Sequence, residues 1–259
     1  MKFVFDLDGT LCFDGHHLHE EILAVLNQAA NYGHEVVFAS ARSYRDCVGV
    51  LGESLKNNLV IALNGGLAYQ NGHVIFARHL QEQAFHTALS WCRQYNLPFF
   101  VDDTFNYATE ISHKMPFIST VDPLKIAEQI PVSQLTNPIK LVIYLGDYEE
   151  LVEDICDDLE SLGQLGVSYH AHEKCLYINP YETNKATTVE ELIGEDFVTF
   201  GNDKNDKQLF KDALYAVQVG DYKPLTKYAD EQILLTGSYE TAIAAKILNL
   251  FAHFKVEHE

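Results

Sequence analysis

The chain opens Met1-Lys2-Phe3-Val4-Phe5-Asp6-Leu7-Asp8-Gly9-Thr10-Leu11, an apolar run that ends in two aspartates one residue apart. Phe3 to Phe5 read as a short buried strand, and Gly9-Thr10 begin a turn. Alternation along the exit of that strand directs Asp6 and Asp8 to the same side, so two carboxylates converge at its C-terminal edge. Carboxylates held that close repel and shift each other's pKa unless a cation lies between them. A divalent metal, with one carboxylate as nucleophile and the other as proton carrier, is one arrangement that uses both. The competing reading is a strand that ends in a capped Asp turn.

Composition narrows the partners. A chain of 259 residues that is 47% hydrophobic has a sizeable core in one large or two modest domains. No apolar run approaches the ~20 residues that span a bilayer, and the acidic pair interrupts the N-terminal apolar stretch too early for a signal peptide. The five cysteines share no close spacing and read as buried thiols of a reducing compartment. The expected location is cytoplasmic. With 37 acidic against 18 basic residues the net charge is −19, which opposes binding to nucleic acid. A phosphorylated small molecule would also be repelled unless the site supplies its own positive charge. His16-His17-x-His19 reads as a solvated loop before a helix.

Beyond the acidic turn, strands and helices alternate. Leu18 to Tyr32 has helical spacing and Gly33 to stop it; Glu35 to Ala39 is strand-like, a helix follows through about Leu51, and Leu59 to Leu63 is a third strand. Short connections predict a parallel sheet covered by helices, with ligands at the C-terminal strand ends. From about residue 80 the rhythm changes. Helices are expected over Gln81 to Tyr95, Pro123 to Ile130 and Tyr148 to Leu162. Strands are expected at Pro98 to Val101, Asn106 to Ile111, Ile139 to Leu145, Val167 to His172 and Cys175 to Ile178. The alternation resumes with a helix at Thr187 to Ile193 and a strand at Phe197 to Phe200. The fold expected is α/β: a Rossmann-like parallel-sheet core of residues 1–79 and 181–259, with 80–180 as an inserted α+β domain.

Three further signals accompany the acidic pair. Ser40-Ala41-Arg42 follows the second strand, where a hydroxyl and free backbone N–H groups can bind a phosphate oxygen, or where Ser40 is simply an N-cap. Lys185 opens a helix, a position the helix dipole disfavours for a cation unless an anion is near; an ordinary surface lysine is the alternative. Gly201-Asn202-Asp203-Lys204-Asn205-Asp206 places four oxygen-bearing side chains in five residues at a strand end, which suits a hard cation or an Asx-rich turn capping the next helix.

Asp6-Leu-Asp-Gly-Thr-Leu11, Ser40-Ala41-Arg42, Lys185 and Gly201 to Asp206, in this order, resemble the four motifs of the haloacid dehalogenase superfamily. Asn64-Gly65-Gly66 and Val219-Gly220-Asp221 to Asp230 resemble segments of its Cof-type, large-cap branch. The chain departs at Ala41 and Ala186, where the family often has glycine, and at Asn202, where it commonly has aspartate. The resemblance implies a Mg2+-dependent phosphatase of a small phosphorylated metabolite (sugar phosphate, nucleotide or phosphorylated cofactor). Asp6 would be the nucleophile and Asp8 the general acid and base. Lys185, Ser40, Arg42, Asn205 and the backbone N–H groups of Leu7 and Ala41 would hold the phosphoryl oxygens. Magnesium would lie among Asp6, the Asp8 carbonyl, Asn202 and Asp206, with Asp203 as a competing ligand. The 80–180 insertion would be a mobile cap that sets substrate choice, with Tyr107, His113 and Lys114 as candidates to face the site. A phosphomutase on the same core and a non-catalytic phosphometabolite or metal sensor stay open. A receiver domain also pairs acids with a lysine, but the insertion and the Gly9-Thr10 turn oppose it. A monomer or small homo-oligomer, with no nucleic-acid or membrane partner, is expected.

Overall fold

Eight strands, beginning with the one that carries the acidic pair, make the larger of two sheets in the computed structural model, which describes residues 1–163 and 165–255. The chain divides into two compact units, residues 1–75 with 184–259 and residues 76–183.

In the first unit the chain runs β1 (Lys2–Phe5), α1 (Glu20–Leu26), β2 (Glu35–Ala39), α2 (Tyr44–Leu55), β3 (Leu59–Ala62) and β4 (Leu67–Gln70), then leaves through β5 (His73–Ala77). In the second unit lie α3 (Glu82–Tyr95), β6 (Phe99–Asp102), β7 (Tyr107–Glu110), β8 (Lys140–Tyr144), α4 (Val152–Ser161), β9 (Leu165–His170) and β10 (Cys175–Pro180). The chain returns with α5 (Lys185–Ile193), β11 (Phe197–Gly201), α6 (Lys207–Asp212), β12 (Tyr215–Val219), α7 (Lys223–Thr226), β13 (Glu231–Ile233) and α8 (Tyr239–His253).

The eight strands are ordered β13-β12-β11-β1-β2-β3-β4-β5. β13 through β3 pair in parallel, and β4 runs antiparallel to β3. Parallel strands covered on both faces read as continuous apolar runs, as Phe3-Val4-Phe5 and Val36 to Ala39 do, all buried. The registers Phe5↔Phe200 and Phe5↔Phe38 put the exits of β1, β2 and β11 side by side. That adjacency brings residues 6–10, 40–42 and 202–206 together.

The second unit is a five-stranded sheet ordered β7-β6-β8-β10-β9. Two α-β-β stretches, α3-β6-β7 and α4-β9-β10, flank β8, which pairs antiparallel with both β6 and β10. Leu89, Phe99, Val101, Leu141, Ile143, Ile155, Leu159 and Leu176 form its main core. Trp91 of α3 donates to Asp158 of α4 at 3.0 Å.

Three expected helices need correction. Pro123 to Ile130 is not helical: Asp122 accepts the backbone N–H groups of Ile126 (2.9 Å) and Ala127 (3.1 Å), and Gln129 bridges to Tyr107. A short carboxylate that takes the local N–H groups competes with the helix ladder. The helix from Leu18 stops at Leu26, where Asn27 donates its amide to Leu23 O and a 3-10 turn follows to Tyr32. The helix expected from Tyr148 begins as a 3-10 turn, with α-helix only from Val152.

Candidate active site

At the exit of β1 the chain closes a tight turn around one carbonyl: Thr10, Leu11 and Cys12 each donate their N–H to Leu7 O, at 3.2, 2.9 and 2.8 Å. The turn points the Thr10 hydroxyl back to Asp6 Oδ2 at 3.0 Å. Gly9 has φ +75°, and a Cβ there would lie 2.1 Å from the Asn202 amide nitrogen. Conformation and space therefore both require glycine.

Lys185 is almost fully buried, and its ammonium lies 2.5 Å from Asp6 Oδ1 and 2.8 Å from Asp206 Oδ1. Asn184 caps α5 by accepting the Thr187 N–H at 3.1 Å, so the helix begins two residues earlier than its apolar pattern suggests. A cation in the first turn opposes the helix dipole; here two carboxylates outweigh that penalty. Burial works against the Lys185 charge, yet Asp206 and Asp6 together hold its pKa above the usual lysine range.

Asp206, fully buried, accepts the N–H groups of Asn202 (2.9 Å) and Asp203 (3.2 Å) on its other oxygen. A Cβ at Gly201 would strike that carboxylate at 2.6–2.7 Å, so glycine at this strand end lets Asp206 fold under the loop. Asp203 accepts the Asn205 N–H at 2.9 Å and caps the 3-10 turn Lys204–Asp206. Asn205 donates to Asn64 Oδ1 at 3.2 Å, while its own Oδ1 is buried without a hydrogen-bond partner.

Ser40 is buried and accepts the Arg42 N–H at 3.1 Å. The Arg42 guanidinium forks onto Asp8, Nε to Oδ2 at 2.8 Å and Nη2 to Oδ1 at 2.6 Å, and also donates to Gly15 O. Burial opposes its charge, but Asp8 holds its pKa above the ordinary value. Ala41 is half-buried beside it. The geometry thus joins Asp6, Lys185 and Asp206 directly, links Asp8 to Arg42, and sets Asn205 against Asn64.

Burial, helped by the charge of Asp206 and opposed by Lys185, pushes the Asp6 carboxyl up to about 7. Two buried carboxylates share one ammonium, which leaves one negative charge in excess. Among the described residues no group of three or more His, Cys, Asp or Glu side chains is placed to hold a metal. The donors on offer are the Asp6 carboxylate, the Asp8 carbonyl and the Asn202 amide, which packs against Gly9. An all-oxygen set beside uncompensated negative charge fits a hard divalent cation.

Thr10 and Asn64 were not singled out as site residues from sequence. The hydroxyl four residues after the first aspartate was a readable signal for Thr10; the Asn64–Asn205 bond, across 141 residues of chain, had none. Of the other candidates, Lys114 pairs with Asp147 at 2.7 Å, Tyr107 stacks on Phe100 and His113 is exposed, all within the second unit. In the histidine cluster His17 pairs with Asp14 and His19 caps α1.

A parallel sheet whose central strand leads into two aspartates, with a lysine and an acidic loop returning to it, gathers the four motifs at one sheet edge. The chain belongs to the haloacid dehalogenase-like hydrolase family, whose family model matches residues 3–247. A protein named HMP-PP phosphatase from Yersinia pestis is 24% identical over 257 residues, covering 95% of this chain and 93% of its own length. A haloacid dehalogenase-like hydrolase from Bacteroides thetaiotaomicron superposes with TM-score 0.82 at 22% identity, covering 96% of this chain and 98% of the other. A subclass IIB sugar phosphatase gives TM-score 0.70 at 16% identity, with 97% and 98% covered. These two structures are likenesses of fold. No helix among the described residues is long and apolar enough to cross a membrane.

Proposed function

We propose that this chain is a magnesium-dependent phosphomonoesterase that acts on a small phosphorylated metabolite through Asp6. The observation that carries the reading is the buried Lys185 ammonium, in contact with both Asp6, just past β1, and Asp206, in the turn that follows the adjacent strand β11. A buried charged cluster of this kind is costly to fold and marks a site where charge is put to use. The names of the relatives, a phosphatase of HMP-PP and a sugar phosphatase, agree with phosphoryl chemistry.

Asp6 attacks phosphorus in line, forming an acyl phosphate as the bond to the leaving oxygen breaks. Asp8 gives that oxygen a proton, then takes one from the water that attacks phosphorus and restores the Asp6 carboxylate. Lys185, Ser40, Asn205 and the N–H groups of Leu7 and Ala41 hold the transferring oxygens, the electrostatic work that dominates such reactions. Magnesium, when bound by the Asp6 carboxylate, the Asp8 carbonyl and Asn202, supplies positive charge that lets an anionic phosphate approach a carboxylate. Asp206 serves this set by fixing Lys185 and the 202–206 backbone. The fork from Arg42 engages Asp8 at rest; an arriving phosphate would compete for the guanidinium and free Asp8 to act. The second unit, expected over 80–180, is taken as the cap that excludes water and selects the leaving group.

Phosphate release from p-nitrophenyl phosphate with magnesium tests the reading. Asp6→Asn should abolish turnover, and Asp8→Asn should lower it by roughly 10²–10⁴. A tenth of the activity surviving in Asp6→Asn would refute covalent catalysis. A sugar phosphate converted to its isomer, with no free phosphate, would identify a phosphomutase instead.

A further inference from the structure

In a chain where acids outnumber bases 37 to 18, three lysines gather on one aromatic ring. Tyr228 follows α7, and its ring packs against the cluster of Phe210, Ala216 and Leu225. The ammonium groups of Lys227, Lys211 and Lys207 lie 4.9, 5.4 and 5.7 Å from the ring centroid. Lys207 and Lys211 sit one turn apart on α6, a spacing at which like charges repel. All three side chains are exposed.

Elsewhere among the described residues Lys56 pairs with Glu53, Lys114 with Asp147, Lys174 with Glu149 and Lys246 with Glu231, whereas the exposed Lys125, Lys204, Lys223 and Lys255 converge on no ring. Lys207, Lys211 and Lys227 have no carboxylate partner within 4.0 Å among the described residues. Asp212, the nearest acid in sequence to Lys211, is taken by the Gln208 amide, and Lys211 itself meets only the neutral Gln208 Oε1, at 3.5 Å. A tyrosine ring attracts ammonium groups through its face but carries no net charge, so it leaves the mutual repulsion of three cations uncompensated. The missing partner is an anion.

We propose that Lys207, Lys211, Lys227 and Tyr228 form a binding site for a small linked-phosphate anion with two or more phosphoryl groups, separate from the Asp6 carboxylate. Three point charges within 5.7 Å of one centroid call for several negative charges in a small volume, and lysine serves phosphate as such a point charge. A single carboxylate would answer one of them. A long polyanion would run from the patch onto a surface of net charge −19, which opposes it. Lys207 directly follows Asp206, so an anion here draws on the short segment that also positions Lys185. The phenol agrees: contact with Lys227, with Lys207 and Lys211 adding, holds its pKa below the usual tyrosine value.

The probe is inorganic tripolyphosphate, titrated at low salt in EDTA into full-length protein labelled with 13C at the tyrosine ζ carbon. The Tyr228 resonance is assigned by its loss in Tyr228→Phe. Expected are a saturable shift of that resonance, a rise in the Tyr228 pKa on binding, and weakening by salt. The Kd should be unchanged in Asp6→Asn and about tenfold or more weaker in Lys207→Gln/Lys211→Gln/Lys227→Gln. A non-saturating shift, an unchanged Kd in the triple variant, or loss of the shift in Asp6→Asn would each overturn the proposal. Unchanged thermal midpoints confirm that the variants are folded; if the triple variant is not, Lys211→Gln alone, expected to weaken binding and raise the free-state Tyr228 pKa, decides by the same criteria.

Discussion

Lys185→Met removes the ammonium that bridges Asp6 and Asp206 while keeping a side chain of similar length. Both contacts are buried, and removing one partner from a buried ion pair costs about 3–5 kcal/mol because a charge is left uncompensated. The lower end applies here. Asp206 keeps two backbone N–H donors and Asp6 keeps the Thr10 hydroxyl, so neither carboxylate is stripped of all partners. A loss of about 3 kcal/mol in a chain of this size lowers the melting midpoint by roughly 6–12 °C. Adding Asp206→Asn should recover part of it, because the amide oxygen can still accept the N–H groups of Asn202 and Asp203 while one buried charge disappears. Urea unfolding of the wild type, both single variants and the double variant, all in EDTA, measures this as a coupling energy of about 1–3 kcal/mol. If Lys185→Met costs less than about 1 kcal/mol, or the two changes add within about 0.5 kcal/mol, the triad does not act as a unit and the reasoning fails. The rate on p-nitrophenyl phosphate should fall by about 10²–10³ in Lys185→Met, the usual effect of removing one preorganised donor from a charged transition state.

Gly65→Ala should cost about 2–4 kcal/mol, since φ is +100° and a Cβ would lie 2.3 Å from the Asn184 carbonyl, which cannot rotate away; an unchanged thermal midpoint would contradict this. Asn64→Gly tolerates the φ of +54° yet loses the bond to Asn205, so kcat should drop about tenfold with little change in melting, and equal kcat would remove Asn64 from the positioning set. His34, buried with Nε2 2.9 Å from the Phe251 carbonyl, has its pKa lowered by burial, so the unfolded chain takes up the proton first and stability falls as pH drops below about 6.5. His34→Gln should flatten the melting profile between pH 7.5 and 5.5, and parallel profiles would sink the assignment. Asn202→Asp should tighten magnesium binding by calorimetry, and Asp203→Asn should leave it nearly unchanged; the reverse order would mean that the loop is misassigned.

The acidic run, the apolar strands of the large sheet and the lysine at a helix start were legible because each is a local pattern with a local cause. The residues that complete the site are less so. The sequence suggests Arg42 as a phosphate ligand; its resting fork onto Asp8 follows from β1 and β2 lying side by side, a fact of sheet order rather than of either motif. Pro123 to Ile130 misled because one aspartate, Asp122, satisfies the backbone where helical spacing suggested a ladder. In the second unit, alternate residues of β8 serve different clusters: Leu141 and Ile143 join the main core, Val142 the opposite face with Phe100 and Cys175. A strand apolar on both faces has no period-2 signal, so Ile139 to Leu145 announced a strand but not its two sides.

Charge links these observations to the proposed chemistry. Asp6, Asp8 and Asp206 bring three negative charges, and Lys185 and Arg42 two positive ones, each already held by a carboxylate. At rest the set is one charge negative and repels a phosphate, as does the surface as a whole. With a divalent cation held by Asp6, the Asp8 carbonyl and Asn202, as proposed, the balance would be one positive, and an aspartate at position 202 would return it to zero. On that proposal, asparagine there would give up a charged metal ligand but leave the loaded site positive, which would suit a doubly charged phosphate. On the proposed chemistry the chain's own residues would then act in sequence: Arg42 would turn to the incoming phosphate, and Asp8, released from the guanidinium, would move the proton.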